Sequence, residues 1–212
     1  MKEGIKLICF DLDNTLTQGF SWERLNLAMG VKLEEDQLMV NWHKEGVLPY
    51  TQWVKILETF YKIRGTATVS NIDKALSRYE YLPGATETIA NLQQKGYEVA
   101  LISGSMDIYL DKIARDLGIN HAQANNMFVF DSNDMLKSIV TFGEEGLSKL
   151  HHLESFCRKL GIQITECACI GDGDNDLDLF KASGHGVTFK NSPIEDEAWQ
   201  VVDSLADLQN LF

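Results

Sequence analysis

Acidic side chains gather in two short clusters whose spacing could support metal-assisted chemistry on an anionic group. Residues 11–15 read DLDNT, and residues 171–176 read GDGDND. Carboxylates that lie close together repel one another, which raises their pKa values unless a cation compensates. Carboxylate oxygens suit a hard divalent cation such as Mg²⁺. If the fold brings the two clusters together, they predict a magnesium site, whereas either cluster alone is explained as a solvated turn.

Other loops that bind cations or phosphates do not fit these clusters. A calcium-binding helix–loop–helix needs Gly at its sixth position and Glu at its twelfth. Counted from Asp172, those positions hold Leu177 and Ser183, and a count from Asp11 fails as well. Residues 171–173 lack the third glycine of a dinucleotide-binding turn. The chain also has no GxxxxGK(S/T) phosphate loop.

The segments around the clusters alternate between short apolar strands and helices. Strands are predicted at residues 5–10, 97–103 and 167–170, and each is followed at once by polar residues. Strands joined by helices imply βαβ crossovers and a parallel sheet covered on both faces. Ligands of such sheets bind at the carboxyl ends of the strands. The predicted fold is therefore α/β, a Rossmann-like, doubly wound and mainly parallel sheet with both acidic clusters at one edge.

A block of helices interrupts this alternation after the first strand. No strand signal lies within the block, and its helices are predicted at residues 22–29, 32–45, 49–64 and 70–79. We therefore expect a small helical domain at residues 17–80. It would be inserted into an α/β core made of residues 1–16 and 81–212.

Polar residues mark the expected starts of three helices in the core. Ser105 and Ser148 are favoured N-cap residues, so helices are predicted to begin just after them. The second of these helices would open with Lys149, and a third is predicted to begin at Asn175. Residues 127–140 hold turn residues between two apolar runs and are predicted to form a β-hairpin.

The charge balance excludes several classes of partner. The chain carries 19 Lys and Arg against 31 Asp and Glu, a formal net charge of −12. This charge argues against nucleic acid or an anionic membrane as the partner. No apolar run is long enough to span a membrane, and the first residues do not resemble a secretion signal. The four cysteines are therefore expected to be free thiols in a reducing cytoplasm.

Four motifs follow one another in the order of a known superfamily. They are DLDNTLT at residues 11–17, SGS at residues 103–105, Lys149, and GDGDND at residues 171–176. Together they resemble the motifs of the haloacid dehalogenase (HAD) superfamily, and the pattern is closest to its phosphoserine-phosphatase-like branch. The resemblance covers essentially the whole chain. It implies a magnesium-dependent phosphatase that hydrolyses a small phosphorylated metabolite through an aspartyl-phosphate intermediate.

The resemblance implies a role for each residue of these motifs. Asp11 is the expected nucleophile, and Asp13 is expected to protonate the leaving oxygen and later to activate water. Ser103 and the backbone N–H of Gly104 are expected to bind phosphoryl oxygens at a helix N-terminus. Lys149 is expected to neutralise developing charge and to hold Asp11 near the phosphate.

The same resemblance implies the metal ligands. Asp11, Asp172 and the backbone carbonyl of Asp13 are expected to hold Mg²⁺. Other polar residues of these motifs are expected to lie behind the ligands and to support them. These supporting residues are Asp176, Asn175 and Thr15.

The helical block is where the sequence departs from phosphoserine phosphatases. In those enzymes the block supplies a Glu for the substrate's ammonium group and an Arg for its carboxylate. These positions fall on Phe20 and Trp53, so the bidentate Arg is lost. Glu23 beside Trp22 and Trp53 could hold an amine by cation–π contact, which would favour phosphocholine or phosphoethanolamine. The alternative is that Trp22, Trp42 and Trp53 form the core of the helical block.

Two other functions would use the same residues. A phosphotransferase would pass the phosphoryl group from Asp11 to an alcohol instead of to water. A phosphate-binding module without catalysis would not need Asp13. The sequence indicates neither an oligomeric state nor a partner protein.

Overall fold

A seven-stranded sheet forms the centre of the chain in a computed structural model, which describes residue 2 and residues 4–212. The strands are β1 (Leu7–Phe10), β2 (Glu98–Met106), β3 (His121–Phe130), β4 (Leu136–Thr141), β5 (Cys167–Ile170), β6 (Gly186–Phe189) and β7 (Gln200–Val202). Their order across the sheet is β4-β3-β2-β1-β5-β6-β7, and every neighbouring pair is parallel except β3 and β4. This arrangement confirms the predicted doubly wound α/β fold and the predicted hairpin.

Four helices follow β1, and they correspond to the predicted helical block. They are α1 (Ser21–Ala28), α2 (Leu33–Lys44), α3 (Tyr50–Arg64) and α4 (Val69–Leu76). The chain enters and leaves the block at neighbouring points. Thr17 and Tyr81 form an antiparallel bridge, and Leu82 N donates a hydrogen bond to Leu16 O at 2.8 Å. The division of the chain into two domains at these points stays a prediction.

Two hydrophobic clusters cover the two faces of the sheet. Ile8 and Phe10 of β1 belong to one cluster, and Leu7 and Cys9 belong to the other, because successive side chains of a strand point to opposite faces. The first cluster includes residues of α5 (Ala85–Gln94), α6 (Asp107–Asp116) and α9 (Leu208–Leu211); the second includes residues of α7 (Glu145–Leu160) and α8 (Leu177–Ser183). All four cysteines lie in the second cluster as free thiols. Among the described residues, no helix combines the length and apolarity that a membrane crossing requires.

The helical block is fixed to the sheet and to α7 by carboxylates. Glu58 of α3 is 3% exposed and accepts a hydrogen bond of 2.9 Å from Ile139 N of β4. Glu144, which directly precedes α7, accepts a hydrogen bond of 3.2 Å from Tyr50 N. The first residue of α3 is therefore capped by a side chain that comes from the core.

The second strand is longer than predicted, and this changes the helix that follows. β2 does not end at Ser103 but continues to Met106, which pairs with Asn126 of β3 after a shift of register. The next helix therefore begins at Asp107, and the prediction that Ser105 caps it is wrong. Pairing with a neighbouring strand outweighs the local preference of a serine for a helix start.

The starts predicted for two further helices are also wrong. α7 begins at Glu145, so Ser148 and Lys149 lie inside the helix rather than at its start. The Ser148 hydroxyl is hydrogen-bonded to His152 Nε2 at 3.2 Å and does not cap the helix. Asn175 lies in a single 3₁₀ turn at residues 174–176, and α8 begins only after this turn.

Candidate active site

Lys149 is buried between two carboxylates at the carboxyl edge of the sheet. Its Nζ lies 2.9 Å from Asp11 Oδ1 and 2.7 Å from Asp176 Oδ1, and its side chain is 0% exposed. Burial acts to lower the pKa of Lys149, but the charges of Asp11 and Asp176 outweigh this effect and raise the pKa. The ammonium group is therefore charged and offsets part of the negative charge at this edge.

The position of β1 beside β5 brings the two acidic motifs together. Phe10 pairs with Ile170, and Asp11 N donates a hydrogen bond of 2.9 Å to Ile170 O. Thr15 Oγ1 donates a hydrogen bond of 3.0 Å to Asp172 Oδ1, which joins the first motif to the second. The prediction that both clusters meet at one edge of the sheet is confirmed.

Three carboxylates form a group that could hold a metal ion. Oxygens of Asp11, Asp172 and Asp176 lie within 4.8 Å of one another. Burial raises the pKa of Asp172 to about 7, and the charge of Asp11 adds to the effect. Burial also raises the pKa of Asp176 to about 6, although Lys149 acts to lower it. One ammonium group thus compensates the three carboxylates, two of them buried and Asp172 half-buried, only in part. Their oxygens fit a hard divalent cation.

Asp13 is predicted to bind the metal through its backbone carbonyl, and its side chain is not part of this group of carboxylates. It is held instead by the first residue of α1: Asp13 Oδ2 accepts hydrogen bonds from Ser21 N at 2.8 Å and from Ser21 Oγ at 2.5 Å. Burial raises the pKa of Asp13 to about 7, while the hydrogen bonds from Ser21 act to lower it. A pKa near neutrality suits a group that gives and takes protons. The contribution of the Asp13 carbonyl to a metal site stays a prediction.

The turn that carries Asp172 and Asp176 has no room for a side chain at Gly171. A Cβ at Gly171 would lie 2.1 Å from Asp176 Oδ2. The same oxygen accepts hydrogen bonds from Asp172 N at 3.2 Å and from Gly173 N at 3.4 Å. Glycine at position 171 therefore allows the Asp176 carboxylate to fold back over the turn.

Ser103 and Gly104 lie within a strand, not at the start of a helix. α6 begins only at Asp107, so the prediction that these two residues lie at a helix N-terminus is wrong. Ser103 is 2% exposed, and its Oγ accepts a hydrogen bond of 3.2 Å from Ser105 N. Contact of Ser103 and the Gly104 N–H with phosphate stays a prediction.

The carbonyl oxygen of Gly104 is an anchor for the helical block. It accepts hydrogen bonds from Tyr50 Oη at 2.7 Å, from Asn126 Nδ2 at 2.9 Å and from Trp22 Nε1 at 3.2 Å. Trp22 belongs to α1 and Tyr50 to α3, so the block closes directly onto the end of β2. These contacts were not predicted from the sequence, because they depend on how the block docks.

Glu145 is a further residue of the site that the sequence reasoning missed. A Cβ at Gly104 would lie 2.0 Å from Glu145 Oε1, so the carboxylate packs directly on this glycine. Asn175 Nδ2 donates a hydrogen bond of 3.3 Å to Glu145 Oε2, and burial raises the pKa of Glu145. Glu145 precedes Lys149 by one helical turn on the same face of α7. That spacing is the signal by which it could have been found.

The tryptophans of the helical block divide between its interior and its surface. Trp22 and Trp53 are 6% and 7% exposed, and their ring centroids lie 5.9 Å apart, which favours the interpretation that they form the core of the block. Trp42 is 42% exposed, so its assignment to that core is wrong. Glu23 is exposed on α1, and its side chain forms no hydrogen bond or ion pair with any residue that the structure describes. Its role in binding substrate stays a prediction.

Comparison with known proteins covers nearly the whole chain. A family model described as haloacid dehalogenase-like hydrolase matches residues 5–184. The phosphoserine phosphatase of Methanocaldococcus jannaschii is 30% identical over 214 residues, which span the whole of this chain and 98% of the relative. The phosphoserine phosphatase of Streptomyces coelicolor is 30% identical over 91% of this chain, but this match spans only 46% of that longer relative. A solved structure of a phospho-aspartyl intermediate analogue of phosphoserine phosphatase is 28% identical, with a TM-score of 0.80 over 98% of this chain and 99% of that one.

The matched region contains every motif that carries the site. Residues 5–184 include Asp11 and Asp13, the Ser103–Gly104 pair, Lys149 and the acidic turn at residues 171–176. The fold agrees with the family assignment, because it matches that solved phosphoserine phosphatase structure with a TM-score of 0.80 over 98% of this chain. The chain therefore belongs to the haloacid dehalogenase-like hydrolase family, in its phosphoserine-phosphatase-like branch.

Proposed function

We propose that the chain is a phosphatase that hydrolyses a small-molecule phosphomonoester through an aspartyl-phosphate on Asp11. The observation that carries this proposal is the pairing of Asp11, which is 6% exposed, with the buried ammonium group of Lys149 at 2.9 Å. A carboxylate that is held by a cation can approach an anionic phosphoryl group that would otherwise repel it. The relatives named phosphoserine phosphatase, and the neighbour described as a phospho-aspartyl intermediate analogue, support the same chemistry.

The reaction proceeds in two steps. In the first, an oxygen of Asp11 attacks the phosphorus, the bond between phosphorus and the ester oxygen breaks, and Asp13 gives its proton to the leaving oxygen. In the second, water attacks the phosphorus and gives a proton to Asp13, while the bond between phosphorus and the Asp11 oxygen breaks. This restores the Asp11 carboxylate and releases inorganic phosphate. The pKa of Asp13, raised by burial to about 7, suits both transfers. Lys149 holds Asp11 in place and offsets charge on the phosphoryl group.

The cation that we propose for the carboxylate group is Mg²⁺. Its proposed ligands are Asp11, Asp172 and the carbonyl of Asp13. The group offers oxygen donors, which Mg²⁺ prefers, and the Asp176 oxygen 2.7 Å from Lys149 supports the site from behind. When bound, the ion neutralises charge on the carboxylates and the phosphoryl group.

We infer that residues 17–80 act as a cap over a core of residues 1–16 and 81–212. The hydrogen bonds from Trp22 and Tyr50 to Gly104 O place α1 and α3 directly on the strand end that carries Ser103. A cap in this position excludes bulk water during phosphoryl transfer and admits only small phosphorylated metabolites. Ser103 and the Gly104 N–H are the proposed phosphate ligands, and the cytoplasmic location expected from the sequence stays a prediction.

Phosphate release from a panel of phosphomonoesters tests the proposal. The panel contains phosphoserine, phosphocholine, phosphoethanolamine and sugar phosphates, each assayed with Mg²⁺ and with EDTA. We expect release that depends on Mg²⁺ and is fastest with one member of the panel. Replacement of the nucleophile in Asp11→Asn is expected to reduce turnover at least about a thousandfold.

A matched Asp→Asn change away from the site serves as the control. Asp203 has a side chain that is 81% exposed, so Asp203→Asn is expected to keep the parent activity. Turnover that survives Asp11→Asn would show that the proposed mechanism is wrong. Transfer of phosphate to an added alcohol, without release, would indicate the phosphotransferase alternative, and binding without either reaction would indicate a phosphate-binding module.

A further inference from the structure

The carboxyl group of Asp13 is fixed through only one of its oxygens. Oδ2 accepts two hydrogen bonds, from Ser21 N at 2.8 Å and from Ser21 Oγ at 2.5 Å. The other oxygen, Oδ1, is buried and has no hydrogen-bond partner among the residues that the structure describes. Ser21 therefore provides the hydrogen bonds that orient this side chain.

These two hydrogen bonds also determine where a proton on Asp13 resides. An oxygen that accepts two donors has its lone pairs engaged, so Oδ2 is the poorer site for the proton. Oδ1 is then the oxygen that carries the proton and can give it to a leaving group. This distribution is what a general acid needs, because one oxygen is anchored and the other is free to react.

The hydroxyl of Ser21 does more than start a helix. Capping of α1 by Asp13 requires only the backbone N–H of Ser21. The hydroxyl adds a second bond to the same carboxylate oxygen and lies 2.6 Å from Ser105 Oγ, on the strand next to β1. Ser21 is 0% exposed and so excludes water from this contact.

We infer that Ser21 is a positioning residue whose hydroxyl orients Asp13, so that Oδ1 delivers the proton to the leaving oxygen. The inference rests on the phosphatase function proposed above. Because Ser21 is the first residue of α1, the orientation of the acid also depends on how the helical block sits on the core.

Leaving groups of different basicity separate this role from a structural one. An alkoxide needs a proton as it leaves, whereas the para-nitrophenolate of para-nitrophenyl phosphate is stable as an anion. We expect Ser21→Ala to lower kcat/KM about tenfold to a hundredfold on the best alkyl phosphomonoester, but less than about threefold on para-nitrophenyl phosphate. Ser21→Thr retains a hydroxyl and is expected to stay within about threefold of the parent on both substrates.

The ratio between the two substrates within one variant does not depend on how much of the protein is folded. Ser183→Ala is the matched control, because it removes another buried serine hydroxyl from the far end of α8 and is expected to leave that ratio unchanged. Equal losses on both substrates, or no loss on either, would overturn the role assigned to Ser21. If the parent chain hydrolyses no phosphomonoester at all, the proposed function fails instead.

Discussion

Lys149 and Asp11 form an ion pair of 2.9 Å in which the lysine side chain is 0% exposed. The methionine in Lys149→Met has similar length but no charge, so it leaves the carboxylates of Asp11 and Asp176 without their cation. We expect the free energy of unfolding of the metal-free protein to fall by about 3–5 kcal/mol at neutral pH. Urea denaturation measures this loss. Lys181→Met removes an exposed lysine of α8 and should change the free energy of unfolding by less than about 0.5 kcal/mol.

Removal of one carboxylate should have opposite effects without and with metal. Burial and the charge of Asp11 raise the pKa of Asp172 to about 7, so its ionised form is unfavourable in the metal-free protein. We therefore expect Asp172→Asn to be at least as stable as the parent chain in EDTA. Mg²⁺ at a hundred times its Kd should stabilise the parent by about 2.7 kcal/mol and the variant by much less. Equal Mg²⁺-induced shifts in thermal denaturation would show that Asp172 is not a ligand.

The free energy of unfolding of the metal-free protein should depend on pH, and two half-buried carboxyl groups determine whether it rises or falls. Asp13 and Asp172 have pKa values of about 7 in the folded protein, against about 4 in an unfolded chain. Between these values the folded state binds more protons, so these groups make the free energy of unfolding fall as pH rises from about 4 to about 7. Urea midpoints in EDTA measure the slope. The difference between the parent and Asp172→Asn isolates the contribution of Asp172, and a difference independent of pH would contradict the prediction.

Two glycines of the acidic turn should differ sharply in their tolerance of alanine. A Cβ at Gly171 would lie 2.1 Å from Asp176 Oδ2, whereas the nearest atom to a Cβ at Gly173 is Asn175 Oδ1 at 3.3 Å. Gly171→Ala must displace Asp176, and we expect it to lower the free energy of unfolding by about 1–3 kcal/mol. It should also weaken stabilisation by Mg²⁺. Gly173→Ala, the matched change, is expected to cost clearly less, and thermal denaturation with and without Mg²⁺ compares the two.

The meeting of the acidic motifs could be predicted because it depends only on strand order and direction. The apolar segments that became β1 and β5 each end directly before an acidic residue or its turn. Parallel strands present their carboxyl ends at one edge. Once Phe10 and Ile170 are paired, Asp11 and Asp172 must lie near each other.

The contacts made by the helical block could not be predicted, because they arise from docking. Tyr50 reaches Gly104 only through the packing of α3 on the end of β2. Ser21 reaches Asp13 through a turn in which Asn14 adopts a left-handed φ of 57°. Neither contact leaves a periodic signal in the sequence, whereas the spacing of Glu145 and Lys149 on one helix face does.

The bridge between Thr17 and Tyr81 brings the two ends of the helical block together, so that the block and the rest of the chain could change independently in evolution. The proposed nucleophile Asp11, the buried Lys149 and the acidic turn at residues 171–176 all lie outside the stretch between these two residues. Because the cost of closing a loop grows slowly with its length, that stretch could be exchanged or enlarged in evolution while β1 and β2 keep their register. New substrates could thus be acquired by altering one continuous segment, provided that the replacement still offers a hydroxyl to Asp13.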